Sequence, residues 1–112
     1  MVTKEEFGKR FKHIRLEKGV TEKEMGKAIG HTEKYIKNIE NGVTLPTLRH
    51  FFRICNYFGI TAYLFFRFDI DYPILFNELL TEIEKLSDKQ KDMVSEIVND
   101  IIKSKERTNL EK

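Results

Sequence analysis

The stretch from Thr21 to Gly42, TEKEMGKAIGHTEKYIKNIENG, leaves this chain few ways to fold. It holds two short helical patterns separated by a break at Gly30. Thr21 can cap the first, and Glu24 stands three residues on, where a carboxylate can answer the cap. Met25, Ala28 and Ile29 then fall on one apolar face. Gly30 stops the pattern, because glycine enters the left-handed conformation without a Cβ clash. Thr32 caps the second pattern, which places Ile36 and Ile39 inward with Tyr35 beside them and ends at Gly42. Helices this short, joined by so few residues, must cross steeply to share a core.

That crossing is the helix-turn-helix arrangement. The outward face of the second helix carries Glu33, Lys34, Lys37, Asn38 and Asn41. These are hydrogen-bonding and mostly cationic groups, suited to the edge of a DNA major groove. The alternative is an ordinary solvated face.

Charge distribution favours the first reading. The net charge is only +2, but residues 1–66 carry twelve Lys and Arg against seven Asp and Glu, while residues 67–112 carry eight against eleven. The basic half contains the two-helix stretch, as a phosphate-facing surface requires. A hydrophobic content of 40% suffices for a core, which argues against disorder. Two prolines, six glycines and a high charged fraction point to mostly helix.

The flanking sequence builds outward from this centre. Thr3 with Glu6 opens a first helix, whose buried stripe is Phe7, Phe11 and Ile14; Lys9, Arg10, Lys12 and Lys18 fall off it, and Val20 staples the following turn. After the loop Val43–Pro46, Thr47 caps a fourth helix with Leu48, Phe51, Ile54, Cys55 and Phe58 inward. Gly59 closes it, and Thr61 caps a short fifth helix ending near Phe66. The linker RFDIDYP follows, with Pro73 as its brake. A sixth helix, Ile74 to about Leu86, carries Leu75, Phe76, Leu79, Leu80, Ile83 and Leu86. Ser87 and Gln90 open a seventh, with Met93, Val94, Ile97, Val98, Ile101 and Ile102 forming a broad stripe. From Lys103 the pattern fades and the tail is expected to fray. A two-helix hairpin cannot bury both of its stripes, so docking on the first domain or on a partner is expected. The aromatic load from Phe51 to Phe76 raises the same choice of cover: the chain's own C-terminal half or a second copy.

From Phe7 to Phe66 the chain resembles the Cro/C1-type (XRE) family of phage-repressor helix-turn-helix proteins. Thr21, Met25, Ala28, Gly30, Thr32, Ile36, Ile39, Glu40 and Gly42 carry the likeness at the family's spacing. The resemblance implies a five-helix lambda-repressor-like DNA-binding domain over residues 4–66; with the C-terminal two-helix hairpin that periodicity gives over 74–105, the expected fold is all-α. It implies that Glu33, Lys34 and Asn38 reach base edges, where a lysine can meet guanine, an asparagine adenine and a glutamate cytosine. Lys37 and Asn41 would meet the DNA backbone, and Thr32 would cap the helix and touch a phosphate. Thr21, Glu22 and Lys23 begin the preceding helix, at a phosphate-gripping position. Glu22 replaces the family's usual glutamine there, so its carboxylate repels the backbone unless Lys23 or a cation offsets it. Gly26 replaces the usual alanine, which costs helix propensity and permits closer packing. His31 replaces an aliphatic turn residue and is expected to be a half-buried spacer. Arg15 has two readings: a phosphate contact, or the structural partner of Glu40 that the resemblance favours.

The expected function is a sequence-specific DNA-binding transcriptional regulator, a repressor, acting as a homodimer on a pseudo-palindromic operator. Lys9, Arg10 and Lys23 would add phosphate affinity. The alternative is a protein-interaction module, such as an antitoxin or partner-controlled regulator, using the C-terminal hairpin. The lone Cys55 sits in an apolar pattern and fits a reducing cytoplasm. The charged N-terminus lacks a signal-peptide pattern, and the run Tyr57–Phe68 is too short to span a membrane. His13, His31 and His50 are too scattered for metal spacing, so no metal or cofactor is expected. No nucleophile–base pair or phosphate loop suggests an enzyme.

Overall fold

The computed structural model describes residues 1–110. They form seven helices: α1 Lys4–Lys18, α2 Glu22–Ala28, α3 Glu33–Glu40, α4 Leu48–Phe58, α5 Ala62–Phe65, α6 Pro73–Glu84 and α7 Asp88–Leu110. The chain divides into two compact units, Met1–Glu78 and Leu79 onward, with the boundary inside α6.

Threonine side chains start the first five helices. Thr3, Thr21, Thr32, Thr47 and Thr61 each accept the backbone N–H of the third residue on. Thr21 and Glu24 complete the reciprocal box, as do Ser87 and Gln90 at α7; at Thr3 the threonine half is formed. Each such cap satisfies a donor that the helix itself cannot, and contributes about 1 kcal/mol.

The core of the first unit lies among α1 to α5. Phe11, Ile14, Met25, Ile36, Ile39, Ile54 and Phe65 are fully or almost fully buried, with Phe7, Ile29, Phe51, Cys55, Phe58, Ile60 and Leu64 around them. Burial pushes the Cys55 thiol up to about 11, so it is a core residue and no thiolate near neutrality. Val20 and Tyr35 pack against the margin.

Two glycines set how closely the helices approach. A Cβ on Gly26 would lie 2.8 Å from the carbonyl carbon and oxygen of Thr32, so α2 meets the start of α3 backbone to backbone. A Cβ on Gly8 would overlap the carbonyl oxygens of Ile39 and Glu40, which brings α1 equally close to the end of α3. The loss of helix propensity at Gly26 thus accompanies a contact that alanine could not make.

Several sequence expectations are corrected. Ala28, expected inside, is exposed, because it is the last residue of α2 where the chain turns outward. Leu48, in the first turn of α4, reaches past the core and is 67% exposed; it rims an open apolar hollow of about 370 Å³ with Val2, Leu45 and Phe66. Pro73 is no stop before α6 but its buried first residue, a position where the missing N–H has no helical partner to lose. Of the tail expected to fray after Lys103, the described part continues α7 to Leu110, and residues 111 and 112 lie outside the described residues. Of the aromatic surplus, Phe51, Phe58 and Phe65 are buried, while Phe52, Tyr63, Phe66, Phe68 and Tyr72 are exposed.

In the second unit, three residues join the end of α6 to α7, and Lys85 and Leu86 donate back to the carbonyls of Glu82 and Ile83. Leu79, Leu80, Met93, Ile97, Val98, Ile101 and Ile102 all remain substantially exposed.

Candidate nucleic-acid interface

The interface is built on α3, eight residues long and too short to persist in isolation. Its inner face is nailed down by Ile36 and Ile39, both at 0% exposure. Its C-terminal end closes on Gly42, which adopts φ +73°. The N–H of Val43 donates to Asn38 O and that of Gly42 to Ile39 O, so the last carbonyls are satisfied.

Arg15 and Glu40 resolve the choice left open by the sequence. Arg15 Nε donates to Glu40 Oε2 at 2.6 Å and Nη2 to Oε1 at 3.0 Å, a two-pronged fork. Its remaining nitrogen, Nη1, donates to Val20 O at 2.8 Å. Both side chains are almost wholly buried. Hydrogen bonding to Glu40 raises the Arg15 pKa, and the nearby Glu22 carboxylate adds to the effect. Arg15 therefore ties α1 to the end of α3 and is not a phosphate contact. Glu22, half-buried, has a cation close to it inside the protein.

On the outer face, Glu33, Lys34, Lys37 and Asn41 are exposed and Asn38 is half-exposed. Glu33 and Lys37, one turn apart, pair at 3.3 Å. Such a surface pair is weak and readily exchanged for contacts to a ligand. At the other end of the interface Thr21, Lys23 and Thr32 are also exposed. Of the residues singled out as the site, Thr21 caps α2 and Glu22 and Lys23 open it; Thr32 caps α3, Glu33, Lys34, Lys37 and Asn38 lie on it, and Asn41 follows its end.

The turn between α2 and α3 is braced by rings. His31 stacks on Tyr35 with centroids 3.9 Å apart, and His50 of α4 stands edge-on to His31 at 4.6 Å. Burial, followed by His50 and Arg53, lowers the His31 pKa below its ordinary 6.5. The half-buried spacer read from the sequence is thus a stacked ring. The Tyr35 hydroxyl is buried with no hydrogen-bond partner among the described residues.

Arg10 departs most from expectation. The sequence groups it with Lys9 and Lys23 as a source of phosphate affinity; Lys9 and Lys23 are exposed, but Arg10 is 7% exposed. Its guanidinium donates to four backbone carbonyls, those of Leu64, Phe65, Arg67 and Ile70. Burial lowers its pKa, and Glu17, Asp69 and Asp71 oppose that shift. The helical wheel had a hint to offer, since Arg10, His13 and Glu17 share one flank of α1. Nothing in the sequence placed their partners more than fifty residues away.

This geometry defines a helix-turn-helix DNA-binding domain. The helix-turn-helix family model matches residues 11–65, and over that stretch the chain is a Cro/C1-type (XRE) helix-turn-helix domain. No curated protein and no solved structure matches the chain. Among the described residues no helix is long and apolar enough to cross a membrane.

Proposed function

We propose that this DNA-binding regulator is a repressor that acts as a homodimer on a pseudo-palindromic operator. The observation that carries the reading is α3: one face anchored by Ile36, Ile39 and the Arg15–Glu40 fork, the other presenting Lys34 and Asn38 to solvent. A rigidly held helix with donors and acceptors on its free face is what major-groove reading needs. In this reading Glu33, Lys34 and Asn38 contact base edges. Thr21, Lys23, Thr32, Lys37 and Asn41 contact the backbone, and Glu22 limits phosphate affinity at its end of the site. In the same reading the exposed apolar side chains of α6 and α7 supply the dimer contact, with two α3 helices entering successive major grooves about 34 Å apart.

The exposed stripe from Met93 to Ile102 also supports a second reading, in which these helices bind a different protein that controls the regulator. Selection from random duplex DNA at physiological salt tests the first. A pseudo-palindrome should be recovered, and Lys34→Ala should relax one base position at a cost of about 1–3 kcal/mol. Retention of no sequence by the folded protein would leave the partner-controlled reading in its place.

A further inference from the structure

We propose that Glu33 and Lys37 read sequence as one unit, a carboxylate and an ammonium held side by side and matched to a cytosine and an adjacent guanine. This rests on the operator reading above and changes it at one residue: Lys37 passes from the DNA backbone to a base edge.

The two side chains stand one turn apart on the outer face of α3. Lys37 Nζ lies 3.3 Å from Glu33 Oε1, and each side chain is about half exposed. The pair therefore presents an acceptor and a donor in a fixed order along the helix. In the major groove a cytosine shows an amino donor, and a guanine shows the acceptors O6 and N7. Where the guanine is the cytosine's own partner, the amino group and O6 are hydrogen-bonded to each other, about 3 Å apart. Where it is the stacked neighbour, the two base edges are about 3.4 Å apart. Either separation matches that of the ion pair, so acceptor meets donor and donor meets acceptor with the pair intact. A carboxylate has a second oxygen and an ammonium has further N–H groups, enough to meet the amino group and both guanine acceptors without giving up the pair.

Electrostatics makes the two act together. A carboxylate carried alone into the groove faces the phosphates of both strands and is repelled by them. In the free protein the Glu33–Lys37 attraction is weak. On DNA the same ammonium offsets the charge that the phosphates repel, so Glu33 reaches a base with Lys37 beside it and not without it. Lys34 is no substitute, because consecutive positions on a helix do not face each other. Glu22 differs as well: the cation close to it is Arg15, which is buried and reads no base.

The test uses full-length protein and the duplex recovered by selection, with each base pair replaced in turn. Kd and its salt dependence are measured for the parent, Glu33→Ala, Lys37→Ala and the double variant. Both side chains lie on the surface, so the variants are expected to fold. Replacing one C·G pair of the half-site, or two stacked ones, should weaken the parent about tenfold. Either single variant should reduce that discrimination to within about twofold, while keeping the preference at the position that Lys34→Ala relaxes. The double variant should lose no more than the singles, as members of one unit do. Lys37→Arg keeps the charge and can meet guanine through two donors, so it should keep most of the discrimination. The proposal is overturned if Lys37→Ala weakens every probe equally and lowers the salt slope by about one, with the Glu33 position still discriminated, for Lys37 is then a backbone contact. Additive losses in the double variant overturn it too, as does a Glu33→Ala variant that keeps the parent's profile. A parent indifferent to every base replacement would instead sink the operator reading, and the coupled reading with it.

Discussion

Helices α3 and α7 use apolar residues in opposite ways. α3 has eight residues and buries its two isoleucines completely. α7 has 23 residues, and Ile97 and Ile101 are 59% and 63% exposed. A helix of eight residues is marginal in water and exists because its neighbours hold it; one of 23 can form on local bonding alone. The tertiary contacts of α3 thus go into fixing a polar face, while α7 keeps an apolar face uncovered. The first arrangement presents hydrogen-bonding chemistry on a rigid support. The second leaves hydrophobic association still to be made.

The sharpest way to break this contrast is to loosen α3. Glu40→Ala should leave Arg15 charged and without its fork, at a cost of about 3–5 kcal/mol. Thermal unfolding should move down by ten degrees or more on the order-of-magnitude conversion for a domain of this size. The double change Arg15→Met with Glu40→Leu should recover most of the loss, because it removes both charges together. An unchanged midpoint in Glu40→Ala would mean that the fork does not hold α3.

Gly26→Ala should follow, at about 1–3 kcal/mol in chemical denaturation. The added methyl improves helix propensity and yet meets the Thr32 carbonyl at 2.8 Å, so a stabilised variant would show that α2 can shift away at no cost.

Ile97→Glu sharpens the other side. Its side chain is exposed, so unfolding of the first unit should change by no more than about 0.5 kcal/mol. Self-association measured by sedimentation should nevertheless fall sharply. Retained dimers would move the contact away from this stripe.

The smallest effect belongs to His31. Its folded pKa lies below 6.5, so the unfolded chain binds the proton more readily. Its contribution to stability is therefore complete above pH 6.5 and declines as pH falls through the lowered folded value. The ring is half-exposed, so the contribution should be under about 1 kcal/mol. Denaturation midpoints of the parent and His31→Gln, followed downward from neutrality, should converge with acid; a constant difference would show that the stacked ring is not sensing protons.

Much of this architecture was legible in the residues. The five threonine caps, the glycine stops and the stripe Phe7–Phe11–Ile14 are local signals, each decided within a few residues of the chain. The Arg15–Glu40 fork spans 25 positions and was legible through family resemblance, with the two-pronged geometry then visible in the fold. Ala28 and Leu48 fall on apolar faces yet are exposed, because periodicity ranks faces but does not say where a core ends. The role of Gly8 has no local signature for a related reason. A glycine at a crossing looks like any other until the opposing backbone is in place.

By itself, the sequence determined an all-helical chain, the two short helices that cross at Gly30, and the polar residues displayed on the second. Capping, periodicity and turn chemistry act over a turn or two of helix, so they can be read along the chain. Only the tertiary structure decided the fate of Arg10. A guanidinium on the flank of α1 has the same local sequence whether it faces phosphate or four carbonyls of the α5–α6 junction. Which it meets depends on segments more than fifty residues away, and on the cost of burying carbonyls that no helix or strand would otherwise satisfy.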